Sequence, residues 1–170
     1  TDVRNRYDAL ARFFRVYFYF EKIKRFGDVP WYSKPIGSAD PELKRPRDSR
    51  EYVMQRMIED IDFAILYLPT KHDLYRITKW TALALKSRFC LFEGTFRKYH
   101  GIDTEENDWK YYLDLAAKAS EEFITNSGYG LYTTGGTQTA YRDLFVSEDA
   151  QQLEVVLARD YNKGLSVFHN

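Results

Sequence analysis

From Ala9 to Lys24 the chain reads ALARFFRVYFYFEKIK, and between Phe13 and Phe20 only Arg15 is neither apolar nor aromatic. The apolar positions recur at helical spacing. Val3, Tyr7, Leu10, Phe14 and Tyr17 step by 4, 3, 4 and 3, beside a second stripe of Phe13, Val16, Phe20 and Ile23. Two adjacent stripes leave hardly any face for water, so this helix is expected to be packed on several sides. It runs into Arg25-Phe26-Gly27-Asp28-Val29-Pro30-Trp31, where Gly and Pro stop the helix and Trp31 and Tyr32 enter a long loop.

Three further helices follow from the same counting. The second starts at an Asp48-x-x-Glu51 box with Asp48 as cap, carries Met54, Ile58, Ile61, Ile65 and Leu68, and ends at Pro69. Thr78 caps the third, whose stripe is Ala82, Leu85, Phe89, Phe92, Phe96 and Tyr99. The fourth follows Asp108 with Trp109, Tyr112, Ala116, Ala119 and Phe123, and closes at Asn126-Ser127-Gly128, with glycine in the left-handed position. The helices are expected at about 2–25, 49–68, 78–99 and 108–127. Small residues (Ala82, Ala84, Ala116, Ala117, Ala119) opposite aromatics are what closely packed antiparallel helix pairs need. Residues 128–170 read as an irregular tail, with one helical turn at Tyr141–Phe145 and a strand over Leu153-Glu154-Val155-Val156-Leu157-Ala158. The fold class is therefore mainly α: tetratricopeptide-like antiparallel helix pairs in a right-handed superhelical stack, with long loops and a short β-element near the C-terminus.

Composition narrows the function classes. The chain has 170 residues, enough for one core burying roughly 70% of the unfolded surface. With 25 basic and 25 acidic residues and no basic block, phosphate-driven nucleic-acid binding has no electrostatic basis. Aromatic residues make up 17%, mostly Tyr and Phe, which suits both helix packing and half-wet binding surfaces. Cys90 lies within an apolar helical run and reads as an inert buried thiol. No apolar run reaches the roughly 18 residues of a membrane-spanning helix. The run Leu165-Ser166-Val167-Phe168 carries no stop signal, so the chain is expected to be a piece of a longer protein.

Six segments, in order, carry a resemblance. They are Ala11-Arg12-Phe13-Phe14-Arg15-Val16-Tyr17-Phe18-Tyr19-Phe20 with Phe26-Gly27-Asp28-Val29-Pro30; Pro46-Arg47-Asp48 to Leu68-Pro69; and Arg76-Ile77-Thr78-Lys79 into Ala82-Leu83-Ala84-Leu85. Then come Glu93-Gly94-Thr95-Phe96-Arg97-Lys98-Tyr99-His100, Ser127-Gly128-Tyr129-Gly130-Leu131-Tyr132, and Glu154-Val155-Val156-Leu157. Together they resemble the SusD/RagB family of outer-membrane nutrient-binding lipoproteins, across nearly the whole chain. The resemblance implies that residues 1–170 are a fragment of a single SusD-like helical domain with no catalytic activity and no cofactor. It also implies a protein that captures oligosaccharide or another nutrient for a SusC-like TonB-dependent outer-membrane transporter. Such a protein sits at the cell surface through an N-terminal lipid anchor, whose cysteine is absent here. Trp80 stands where the family more often has a small residue.

Sugar binding needs flat aromatic faces for the C–H sides of pyranose rings and polar groups for the hydroxyls. Trp31 and Tyr32 are the candidate ligand-binding residues on that ground. The plainer reading has Val29-Pro30-Trp31 fold back and cover the ends of the first two helices. Other constellations are structural by default. Glu93 and Arg97 pair at i,i+4, with Glu93–His100 as the functional alternative. Glu59, Asp60 and Asp62 include two solvent-facing positions. His72, His100 and His169 lack metal-ligand spacing, and Gly135-Gly136 lacks the residues of a phosphate loop. Two other classes stay open: a helical-repeat module that binds a partner protein or peptide, and a helical glycosidase.

Overall fold

The computed structural model describes residues 2–102, 107–159 and 161. The described residues form five helices, α1 (Asp2–Phe26), α2 (Arg50–Tyr67), α3 (Lys79–His100), α4 (Trp109–Asn126) and α5 (Gly136–Val146), with a 3-10 turn at Pro41–Lys44. They fall into two compact units, residues 1–68 and residues 69–170.

In the first unit α1 packs on α2. The pairing is antiparallel, since Arg50 near the start of α2 reaches the Ile23 carbonyl near the end of α1, while Arg12 lies over Phe63. The core consists of Ala9, Phe13, Val16, Tyr19, Phe20 and Ile23 against Val53, Met54, Met57, Ile61 and Ala64. This is the second of the two stripes in α1. The first is largely turned out: Val3, Tyr7, Phe14 and Tyr17 are all more than half exposed. Packing on several sides is therefore not what the described residues show. A single partner helix covers one face, and α2 chose the stripe with Phe13 and Val16.

The start of α2 also differs from expectation. Ser49 is the cap, accepting from the Tyr52 N–H, because Asp48 is occupied elsewhere. Its carboxylate accepts from the Trp31 N–H at 2.7 Å and from Arg45 at 2.9 and 3.1 Å.

In the second unit α3 and α4 are antiparallel: Lys79 meets Glu122 at 2.7 Å, Ser87 meets Ser120 at 2.7 Å and Arg97 reaches Tyr112. Thr78 caps α3 in a reciprocal capping box with Thr81, and Asp108 caps α4 through the Tyr111 N–H. The two helices pack tightly at Gly94. A Cβ added there would lie 2.7 Å from Leu113 Cδ2 and 3.0 Å from the Trp109 carbonyl oxygen. Trp80 is buried, donating its indole N–H to the Thr70 carbonyl at 2.6 Å. Cys90 is fully buried and forms no disulfide.

Glu93 and Arg97 do more than support a helix surface. Both side chains are buried and bonded at 2.9 Å, and Arg97 also donates to the Asn107 carbonyl at 2.8 Å and lies 4.5 Å over the Tyr112 ring. Removing one member of such a buried pair costs about 3–5 kcal/mol rather than the few tenths of an exposed pair. His100 is exposed and bonds the Phe96 carbonyl through Nδ1, one turn back on its own helix.

Two features of the tail are corrected. The helical turn at Tyr141–Phe145 is the second half of α5, which spans eleven residues and starts at Gly135 and Gly136, both left-handed (φ 86° and 74°). The strand over 153–158 is absent, and the described residues contain no strand, only an isolated bridge between Val29 and Asp48. The apolar run finds no neighbouring strand. Its backbone instead bonds a turn (Glu154 and Val155 N–H to Gln151) and loops (Ala158 N–H to Leu74 at 2.8 Å). His169 and the run Leu165–Phe168 lie outside the described residues.

Candidate functional site

The end of α1 and the loop after it form the candidate site. Gly27 (φ 67°) ends the helix, its N–H bonding the Ile23 carbonyl at 3.1 Å. Asp28 then accepts from the Arg50 N–H at 2.8 Å, which fixes the loop to the start of α2. The Val29–Asp48 bridge closes the loop at its base. Tyr19 holds its middle, donating to the Pro30 carbonyl at 3.0 Å while accepting from the Tyr32 N–H at 2.8 Å. Burial pushes the Tyr19 phenol up from its usual range, so it keeps its proton as that donor.

Trp31 lies inside this loop. It is 4% exposed, its ring 4.3 Å from that of Tyr19 and 5.1 Å under the Arg15 guanidinium. Its indole N–H is buried with no acceptor. Its backbone is clamped from both sides, by Asp48 on the N–H and Arg45 on the carbonyl. A ring covered in this way has no free face for a sugar.

Tyr32 is half-buried and borders a cavity of about 370 Å³. Phe18, Lys22, Phe26, Asp28 and Arg47 complete its rim, and Tyr19, Val29 and Pro30 form the floor. Phe18 and Phe26 are each more than half exposed. Lys22 lies 5.0 Å over the first ring and 5.5 Å over the second. The Tyr32 hydroxyl donates to the Glu42 carbonyl at 2.9 Å, which fixes the ring. Flat apolar rings with a lysine, a carboxylate and an arginine at the rim can hold a ligand that is apolar on one side and polar at its edges. The sequence singles out Tyr32 as a candidate and reads Phe18 and Phe26 as helix and linker. Their signal is their place in the last turns of α1, beside the loop.

Among the described residues no three metal-ligating side chains cluster. Asp60 is buried and bonded to Arg15 at 2.6 and 2.8 Å, with Arg12 at 3.4 Å, which removes it from any cation site with Glu59 and Asp62. None of the described helices is long and apolar enough to cross a membrane.

Comparison with known proteins then gives the geometry a context. The SusD-like family described as "Starch-binding associating with outer membrane" matches residues 1–91. A SusD-like protein of Bacteroides ovatus is 28% identical over 153 residues, which is 90% of this chain and 26% of the relative. A crystal structure of a SusD-like protein from Bacteroides fragilis superposes with a TM-score of 0.72 and 26% identity, covering 95% of this chain and 28% of that one. A protein crystallised with xylogluco-oligosaccharide superposes with a TM-score of 0.72 and 25% identity, covering 95% of this chain and 30% of that one. The chain thus spans less than a third of the length of these relatives. A family match over more than half of the sequence, with the same helical fold in the solved relatives, identifies the chain as a member of the SusD-like family.

Proposed function

We propose that this chain is part of a glycan-capturing component of an outer-membrane uptake system. It would deliver oligosaccharide to a SusC-like TonB-dependent transporter from a lipid-anchored position at the cell surface, without catalysing a reaction. Membership of a starch-binding family carries this reading. The solved relative with bound xylogluco-oligosaccharide supports the ligand class. Within the chain, Tyr32 is the proposed contact, together with Phe18 and Phe26, while Trp31 acts from behind as the core of the loop. The same reading treats 1–170 as part of a single domain and each antiparallel helix pair as one tetratricopeptide-like element of a right-handed array.

The alternative is a module that binds a partner protein or peptide. The exposed apolar stripe of α1 (Val3, Tyr7, Phe14, Tyr17) is the observation in its favour. Affinity gels carrying neutral oligosaccharides separate the two. The complete protein is expected to be retained by a glycan gel and to copurify with an outer-membrane transporter. Copurification of a protein partner with no retention by any glycan would favour the alternative.

A further inference from the structure

A second pocket, of about 230 Å³, lies in the unit formed by residues 69–170. Its walls come from three segments: the loop at His72–Tyr75, Tyr129, and the tail at Gln152 and Val155. We propose that it binds a single neutral sugar residue, with Tyr75 as the stacking face and Asp73, Gln152 and the Tyr129 hydroxyl as partners for sugar hydroxyls.

Size limits the ligand first. Pockets for drug-sized molecules start at about 300 Å³, so this one holds a smaller body, on the scale of one ring. Charge limits it next. The lining has one carboxylate, Asp73, and no lysine or arginine. Asp73 pairs with Arg76 at 3.7 Å, outside the lining, so the pocket offers no cation of its own to a phosphate, and a lone carboxylate does not make a cation site. What remains is a neutral molecule with several hydroxyls and one apolar side, facing Leu74, Val155 and a tyrosine ring.

The pocket is also preformed. The Ala158 N–H bonds the Leu74 carbonyl at 2.8 Å, the Gly130 N–H bonds the Leu153 carbonyl at 2.9 Å, and the Tyr132 N–H bonds Glu154 Oε2 at 2.6 Å. These bonds tie the three walls together and reduce the ordering cost of binding. Tyr129 is fixed in a column of rings, 4.2 Å from His72 and 5.5 Å from Phe123, with interplanar angles of 11° and 10°. Its faces are thus covered, which leaves its hydroxyl for a ligand. Burial and the nearby Asp73 push that phenol up, so it stays a neutral donor. His72 is committed to Tyr129 and, through Nε2, to the Ser127 carbonyl. Tyr75 differs from all of these. The residue is 54% exposed while its backbone is held by an N–H bond to Asp73 Oδ1 at 3.0 Å. A fixed aromatic with an open face, beside polar groups, is the arrangement a pyranose needs.

The inference rests on the glycan reading for the class of ligand, and its test separates the two. Saturation-transfer NMR on the complete protein would use D-glucose and D-xylose as probes, with xylogluco-oligosaccharide and maltohexaose followed by calorimetry. Tyr75→Ala is expected to weaken monosaccharide binding by about fivefold or more, while Tyr75→Phe retains it. Monosaccharide binding that Tyr75→Ala does not alter would overturn the second site and leave the glycan function standing. So would oligosaccharide binding with no monosaccharide signal. Binding of neither class of sugar would overturn both.

Discussion

The Arg15 guanidinium bonds both carboxylate oxygens of Asp60, Nε to Oδ2 at 2.6 Å and NH2 to Oδ1 at 2.8 Å, across the α1–α2 interface. The Asp60 side chain is only 3% exposed, and Arg15 has a third task, donating to the Ser33 carbonyl at 3.1 Å. One arginine in the aromatic run thus joins the two helices and holds the loop that borders the cavity. Replacing Asp60 by Ala leaves Arg15 partly buried without its anion. The expected loss is about 3 kcal/mol, at the low end for buried pairs because Arg15 keeps some contact with water. Urea unfolding measures the loss, and faster proteolysis within residues 33–48 would report the loosened loop.

Trp31 separates packing from hydrogen bonding. Trp31→Ala empties the space over Tyr19 and should cost about 3–5 kcal/mol. Trp31→Phe should cost far less, since the indole N–H it removes has no acceptor. The ring does not border the cavity, so Trp31→Phe is also expected to leave glycan affinity unchanged. Thermal unfolding and calorimetry on the same two variants test both statements.

Gly94 reverses an ordinary rule. In an open helix Gly→Ala gains about 1 kcal/mol. Here the new methyl would lie 2.7 Å from Leu113 Cδ2 and 3.0 Å from a backbone oxygen of α4. Gly94→Ala is therefore expected to destabilise by about 1–3 kcal/mol, measured by chemical denaturation.

The Tyr19 phenol gives the loop an alkaline limit. Its folded-state pKa is raised by burial above the ordinary value of about 10, so the folded protein favours the protonated form. That stabilisation is complete below the unfolded pKa and is lost as pH rises through the folded one. Stability is expected to fall above about pH 10, and Tyr19→Phe should flatten part of that decline. Tyr129, raised for the same reason, adds to the slope in the other unit. Denaturation midpoints between neutral and strongly alkaline pH check the sign.

How much of this was legible in the sequence follows from where each cause lies. Thr78, Asp108 and Gly128 act on backbone groups within three residues, so counting finds them. Asp48 has the same local signature, but a partner 17 residues away, the Trp31 N–H, claims it and moves the cap to Ser49. In α1 two apolar stripes compete, and periodicity alone cannot say which one α2 will cover. The Arg15–Asp60 pair spans 45 residues and has no spacing signature. The run at 153–158 has strand composition, but a strand needs a neighbour, and composition does not supply one. In the candidate site Tyr32 was visible as a loop aromatic. Phe18 and Phe26 were not, because aromatics near a helix end read as core until the uncovered face is known.

The central claim is that the α1 loop presents Tyr32, Phe18 and Phe26 to a neutral oligosaccharide. Calorimetric titration of the complete protein with xylogluco-oligosaccharide and maltohexaose, wild type beside Tyr32→Ala, tests it most directly. The account predicts saturable binding of at least one of these glycans by the wild type, weakened about tenfold by Tyr32→Ala without loss of folding. Equal affinity in the variant would contradict the site, and no heat with either glycan would contradict the proposed function.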